Sequence, residues 1–307
     1  MLDKKLVIID SNALIHRAFH ALPELTSPDG FLVNAVYGFL LIFLKALKDL
    51  QPDYLAAAFD LPGPTFRDEI YKGYKAKRPK APDELYQQIP LVKEILNLFL
   101  VPIFEKQGYE ADDIIGTIAV QAEKRQISPY LEIIIITGDL DALRLVNKHT
   151  KVFTLRKGLK DTILYDVEKV KQKYQGLEPQ QLTDYRALRG DPSDNIPGVT
   201  GIGEKTAITL LKNYHTLDNI YDLLERGKEL KEVSKRIEEK LRRYKEQAYF
   251  SKSLAEIEFN VPLDFKLEQC KREKFDKEKA VELFKRYGFQ SLINRLPESK
   301  QISLGDF

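Results

Sequence analysis

Residues 131–141 read LEIIIITGDLD: an apolar run, a Thr-Gly turn, then two carboxylates flanking Leu140. A strand this apolar is buried on both faces, which implies a mainly parallel sheet covered by helices on either side. Working outward, the pattern recurs at residues 6–13 (LVIIDSNA) and 54–60 (YLAAAFD), each an apolar run reaching an Asp. Strands are expected at Leu6–Ile9, Tyr54–Phe59, Val101–Phe104, Leu131–Thr137 and Val152–Leu155. Helical patterns lie between them at Ala13–Leu22, Asn34–Leu50, Pro82–Leu100 and Ala111–Arg125. Ligands of such α/β sheets bind beyond the carboxyl ends of the strands. Asp10, Asp60, Asp139 and Asp141 all fall there, and helix capping would account for only one or two of them.

Two further strings, GYEADDIIG at 108–116 and RGDPSDNIPG at 189–198, add Glu110, Asp112, Asp113, Asp191 and Asp194. Glu110, Asp112 and Asp113 open a helix, where acids gain from the dipole, but three in four residues exceed what capping needs. Nine carboxylates gathered at one sheet edge repel, by about 4 kcal/mol for a pair ~4 Å apart at an effective dielectric of ~20. Such a cluster must bind cations or keep protons. Hard oxygen donors without soft partners select Mg²⁺ or Mn²⁺, and with them phosphate chemistry.

Composition sets the outer bounds. The 307 residues are 43% hydrophobic and 31% charged, enough for a soluble protein of one or two domains. A single cysteine, Cys270, excludes an internal disulfide framework and a Cys-based zinc site. MLDKKLVIID lacks the shape of a signal peptide, and no apolar stretch reaches the ~20 residues that span a membrane, so a cytoplasmic setting is expected. The net charge of +2 hides an asymmetry: with the nine clustered acids set aside, 37 of the 46 acidic residues face 48 basic ones. A basic body around an acidic pocket suits a polyanion, although an ordinary mixed surface gives similar totals.

After about Asp166 the pattern turns helical: Pro179 to Arg189, Glu204–Tyr214, Leu217–Glu225, Glu229–Leu254 with a break, and Lys277–Tyr287, capped by Asp276 and ended by Gly288. GVTGIG at 198–203 nearly spells a P-loop, but Glu204 precedes Lys205 and Thr206, and a helix rather than a strand comes before it. A hairpin whose glycine amides meet a phosphate backbone is the alternative, and a plain Gly-rich turn the bland one. RDEIYKGYKAKRPK at 67–80 carries six basic and two acidic residues with Tyr71 and Tyr74 interleaved. Charge runs are usually solvated faces. Bounded by prolines and close to Asp60, this one instead suggests a mobile basic segment gripping a single strand. His16 and His20 have zincin spacing without its Glu and are expected to be structural or DNA-facing.

These pieces together resemble the 5′-nuclease domain of bacterial DNA polymerases I, in the flap-endonuclease superfamily. The matching strings are IIDSNALIHRAFHAL, AVYGF, AFD, FRDEIYKGYKAKR, GYEADDIIGT, ITGDLD, DYRALRGDPSDNIPGVTGIGEKTA and LFKRYGF, in family order over roughly residues 5–295. The resemblance implies a PIN-like α/β nuclease core over 1–175 with a helical arch at about 62–100. It further implies a helical DNA-binding subdomain over 176–295 with a helix-hairpin-helix motif, and a tail over 296–307. Asp10, Asp60, Glu110 and Asp112 look like a first metal group, and Asp139, Asp141, Asp191 and Asp194 a second, with Asp113 between them as ligand or catalytic group. Lys75 and Arg78 match catalytic arch positions. Arg17, Arg67, Tyr74, Lys75, Arg78, Gly201, Gly203, Lys205 and Thr206 match DNA contacts. Leu140 stands where relatives often carry Lys. Two or more Mg²⁺ or Mn²⁺ ions are implied, with a K⁺ ion at the hairpin. The implied substrates are DNA with 5′ flaps, nicks or 5′ ends and RNA primer 5′ ends, in primer removal and repair. A monomer fused to, or working with, a polymerase is expected.

The rival reading is an idle DNA-tethering module, whose mark would be a missing metal carboxylate. A Mg²⁺-dependent phosphatase would need a DxD string after the first strand, where this chain has Asp10-Ser11-Asn12.

Overall fold

The computed structural model describes residues 4–124, 131–156, 158–159 and 161–297. Strands β1 (Lys4–Asp10), β2 (Tyr54–Ala58), β3 (Ile103–Phe104), β4 (Leu131–Thr137), β5 (Thr150–Leu155) and β6 (Thr162–Tyr165) form one sheet in the order β3-β2-β1-β4-β5-β6. Every neighbouring pair is parallel except β5 and β6. That antiparallel edge strand is absent from the sequence reading, because TILY is only partly buried and too short for a periodicity. From β1 the chain steps outward to β2 and β3, then crosses to β4 on the other side. The switch point, where such sheets bind ligands, therefore lies beyond the ends of β1 and β4, at Asp10 and Asp139.

The helices are α1 (Ser11–Ala21), α2 (Asn34–Leu50), α3 (Phe66–Ile70), α4 (Asp83–Tyr86), α5 (Ile89–Leu98), α6 (Ala111–Lys124) and α7 (Val167–Lys173). They continue with α8 (Leu182–Arg189), α9 (Glu204–Tyr214), α10 (Leu217–Glu225), α11 (Lys235–Arg243), α12 (Lys245–Ala255), α13 (Lys277–Arg286) and α14 (Gln290–Ile293). The long helix expected over Pro82–Leu100 is two pieces. Pro90 lacks the N–H that would continue the preceding turn, and Gln88 turns inward to cap α2, its Oε1 accepting from the amides of Ala35 (2.8 Å) and Val36 (3.3 Å).

Alternate residues of β1 feed two cores, as the period of two requires. Val7 and Ile9 pack with Phe39, Phe43 and Leu96 of α2 and α5, and with Phe284 and Phe289 of the C-terminal helices. Leu6 and Ile8 pack with Ile114 and Ile118 of α6 and with Val261 and Phe265. A third core, from Leu177 to Ala248, joins α8 to α12. The independent helical core is thus smaller than the expected 176–295: residues 257–270 and 280–296 pack back on the two faces of the sheet. Of the expected tail, residues 298–307 lie outside the described residues, as does the expected helix end at Arg125.

Candidate metal centre

Each central strand delivers an acid at its carboxyl end, and local hydrogen bonds fix it there. Asp10 caps α1, its Oδ1 accepting from the Ala13 amide at 3.2 Å, while Oδ2 accepts from the Thr137 hydroxyl at 2.6 Å. Thr137 Oγ1 also accepts from the Asp139 amide (2.9 Å), so one hydroxyl ties the ends of β1 and β4 together. Asp60 Oδ1 accepts from the Ala111 amide (2.7 Å) at the start of α6, and its own amide donates to Asn12 Oδ1 (3.2 Å). Two helix N-termini therefore aim at the site, where they favour negative charge.

The second group comes from the turn between α8 and α9. Asp191 and Ile196 exchange backbone hydrogen bonds of 2.9 and 2.8 Å. Gly190 (φ +78°) and Gly198 (φ +62°) close the turn so tightly that a Cβ on Gly198 would sit 2.2 Å from the Gly190 nitrogen. Carboxylate oxygens of Asp141, Asp191 and Asp194 consequently lie within 4.8 Å of one another.

One cavity of about 480 Å³ gathers seven of the nine expected acids: Asp10, Asp60, Glu110, Asp112, Asp139, Asp141 and Asp194. Asp191 sits behind, joined to the cluster through Asp141 and Asp194. The repulsion is met in two ways. Some acids keep protons: burial, with Asp112 and Asp60 nearby, raises Asp10 well above the usual carboxylate range against the Thr137 and Ala13 hydrogen bonds. Burial likewise raises Asp60, and lifts Asp112 to about 6 despite Arg144. Others are paired with the protein's own cations. Lys75 Nζ lies 2.5 Å from Glu110, Arg78 pairs with Asp194, Arg144 Nη2 lies 3.2 Å from Asp112, and Arg186 bridges Asp141 and Asp191. Asp191 is held below the usual range, where Ser193 hydrogen bonds and Arg186 overcome burial. All donors are oxygens and three of them, Asp10, Asp60 and Asp112, hold protons more tightly than usual, so the residues fit hard divalent cations, which would displace those protons.

Asp113 does not join this set. It is fully buried and faces away from the cavity, its two oxygens accepting from both ends of the Arg67 guanidinium at 2.8 Å and from the amides of Glu110 (3.1 Å) and Glu258 (2.9 Å). Arg67, expected to contact DNA, is 2% exposed and also donates to the carbonyls of Leu254 (3.1 Å) and Glu256 (2.5 Å). The pair bolts α3, α6 and the segment after α12 together.

The basic stretch does not project. Tyr74 is buried, its hydroxyl 3.1 Å from Glu110 Oε2. The Lys75 amide donates to the Asp194 carbonyl (3.0 Å), and Asn195 Nδ2 donates to the Gly73 carbonyl (2.7 Å). Glu110 outweighs burial to hold the Lys75 ammonium above its ordinary range. The expected arch over 62–100 is therefore a strap lying on the carboxylates, while α5 belongs to the sheet core. Arg17, His16 and His20 line the cavity.

The glycine hairpin leads from this turn into α9. Gly201 (φ +80°), Gly203 and Lys205 are exposed, and Thr206 is half-buried. Lys240 Nζ reaches the Gly201 carbonyl (3.3 Å) and Gln247 Nε2 the Gly198 carbonyl (2.5 Å). Sequence reasoning missed Thr137, Arg144 and Arg186. Arg186 lay inside the quoted DYRALRGD, but nothing in its spacing marked its partners.

Residues 5–175 match the profile of the 5′-3′ exonuclease N-terminal resolvase-like domain, and residues 177–278 that of the 5′-3′ exonuclease C-terminal SAM fold. The chain is 45% identical over 300 residues to DNA polymerase I of Caldicellulosiruptor bescii, covering 97% of this chain and 34% of that protein. It is 44% identical to DNA polymerase I of Bacillus subtilis, covering 96% and 32%. The chain thus spans about a third of the length of these relatives. In structure it is similar to T5 5′-exonuclease with bound divalent zinc ions, at a TM-score of 0.67 and 19% identity over 83% of this chain and 90% of that one. It is also similar to the catalytic core of Rad2 in complex with DNA substrate, at 0.61 and 17%, covering 96% and 94%.

Proposed function

The chain belongs to the 5′-3′ exonuclease family, and from that membership we propose that it hydrolyses DNA phosphodiesters at 5′ flaps, nicks and 5′ ends, RNA primer ends included. The observation that carries this reading is the single cavity lined by seven carboxylates and six lysine and arginine side chains. An acidic pocket able to take divalent ions, with Arg17, Lys75 and Arg78 on its lining as cations able to take phosphates, suits a phosphodiester and has no evident use for a neutral substrate. Mg²⁺ or Mn²⁺ is the proposed cofactor, held as two or more ions by Asp10, Asp60, Glu110 and Asp112 and by Asp139, Asp141, Asp191 and Asp194. When bound, such ions would activate a water and stabilise charge on the attacking and leaving oxygens.

The chain's own residues supply the rest. Lys75 and Arg78, which line the cavity beside Glu110 and Asp194, would stabilise the charge that develops on the substrate phosphate. Tyr74 and Arg17 line the path of the single strand, and Gly201, Gly203, Lys205 and Thr206 hold the duplex backbone. We also propose a K⁺ ion at this hairpin. No helix of the described residues is long and apolar enough to cross a membrane. We place the protein in the bacterial cytoplasm, at the nucleoid, as a monomer fused to or serving a DNA polymerase in primer removal and repair.

The test is a cleavage map on a labelled 5′-flap duplex with Mg²⁺ and with EDTA, beside a phosphate monoester. Cutting near the flap junction with Mg²⁺ alone is expected. Turnover of the monoester without flap cleavage would overturn the reading.

A further inference from the structure

We propose that a second cavity, between the acidic centre and the glycine hairpin, seats a backbone phosphate of the duplex part of the substrate between Lys173 and Arg189; this rests on the nuclease reading above. The cavity, of about 250 Å³, is walled by Leu140 after β4, Tyr174 just past α7, Tyr185 and Arg189 on α8, and Glu204 at the start of α9. It shares Asp141 and Arg186 with the acidic centre. Glu204 is the first residue of the helix that follows the hairpin. A strand running from the reacting phosphate to the hairpin has to pass over it.

Its charges favour a phosphate. Arg186 is committed to Asp141 and Asp191, which leaves Lys173 and Arg189, among the described residues, without a carboxylate partner. Each lies instead over a tyrosine: Lys173 Nζ is 5.8 Å from the Tyr174 ring centroid and Arg189 Cζ 5.8 Å from that of Tyr185. The two rings meet edge to face at 5.7 Å. Tyr185 is buried and Tyr174 half-buried, so this aromatic pair is a fixed base that carries two exposed cations at its margins, where they can take a phosphate. Leu140 adds only apolar wall, so the positive charge free for a ligand comes from the two helices. Glu204 opposes it with one negative charge at the far wall, which disfavours a small free anion bearing several charges and is tolerable for a diester bearing one.

The experiment uses the full chain and a 5′-flap duplex in which successive phosphates are replaced, one at a time, by neutral methylphosphonates. Binding is measured by fluorescence anisotropy in Ca²⁺ over a range of salt, for the unaltered protein, the double variant K173Q/R189Q and the charge-conserving K173R/R189K. One replacement on the duplex side of the cut should weaken binding of the unaltered protein about tenfold, and binding of K173Q/R189Q less than about twofold. The slope of log affinity against log salt should fall by about one to two in K173Q/R189Q and recover in K173R/R189K. Both side chains are exposed, so thermal unfolding of the variants should match that of the unaltered protein and separate a lost contact from a lost fold. If K173Q/R189Q keeps the unaltered sensitivity at every position, the cavity seats no phosphate, and the nuclease reading stands. If the unaltered protein neither binds nor cuts the flap, the nuclease reading itself fails.

Discussion

Asp113 receives four hydrogen bonds and no solvent, so its charge is spent on holding Arg67 rather than on a metal. Asp113→Asn would leave the buried Arg67 guanidinium with only the longer contact to Glu110 (3.4 Å) for counter-charge, which costs about 3 kcal/mol. Urea denaturation should show that loss, and a cost below ~1 kcal/mol would return Asp113 to the catalytic set. Asp139 behaves oppositely: it lines the cavity and is anchored only through backbone amides and Thr137. Asp139→Ala should abolish flap cleavage while flap binding in Ca²⁺ persists; normal turnover would remove Asp139 from the metal ligands. The acids themselves were legible in the sequence because strand ends and Asp-rich turns announce them. Their pairing was not. Arg67 with Asp113 and Arg186 with Asp141 are set by packing between separate elements, and no local spacing encodes which cation neutralises which acid.

The turn from Arg189 to Gly198 depends on two glycines pressed together at positive φ. Gly198→Ala would force both backbones apart and disperse Asp191 and Asp194. It should weaken Mn²⁺ binding at least about tenfold, measured calorimetrically, at a stability cost of about 1–3 kcal/mol. Unchanged Mn²⁺ affinity would show that this turn does not build the second carboxylate group. At this scale the sequence was most informative where a period ran long. β4 matches its expected range residue for residue, as do α2, α9 and α10. It was least informative at β6, four residues of which three are only half-buried, and at the break between α4 and α5, where the side chain of Gln88 answers a need of α2. The strap over the acidic cavity was read as mobile because prolines bound the basic run and Asp60 lies close by. Its counter-charges lie on α6 and the 191–195 turn, out of reach of any window on the sequence.

For the molecule as a whole, the acidic centre makes stability depend on both pH and metal. Asp112 titrates near 6 when folded, and Asp10 is raised as well, against about 3.9 unfolded. The folded state therefore holds more protons between about pH 4 and pH 6, so this contribution is full below pH 4 and is lost as pH rises through the folded values. In EDTA, stability should fall from pH 5 to pH 7.5 by about 1.4 kcal/mol from Asp112 alone, the rest of its contribution having been lost between pH 4 and pH 5. Mg²⁺ should restore it at the upper end, and a metal-free profile rising over that range would contradict the assigned protons. The lowered Asp191 acts only below about pH 4, outside this window. The return of residues 257–270 and 280–296 to the sheet has a mechanical meaning. The helical unit is a loop-like insertion anchored at both ends, unlike a domain swinging on one linker. Two attachments forbid free swivelling and leave mainly rotation about the line joining them. If that unit clasps DNA as proposed, a torque on it would pass straight into the strand ends bearing the carboxylates, and clasp and blade would be geared together.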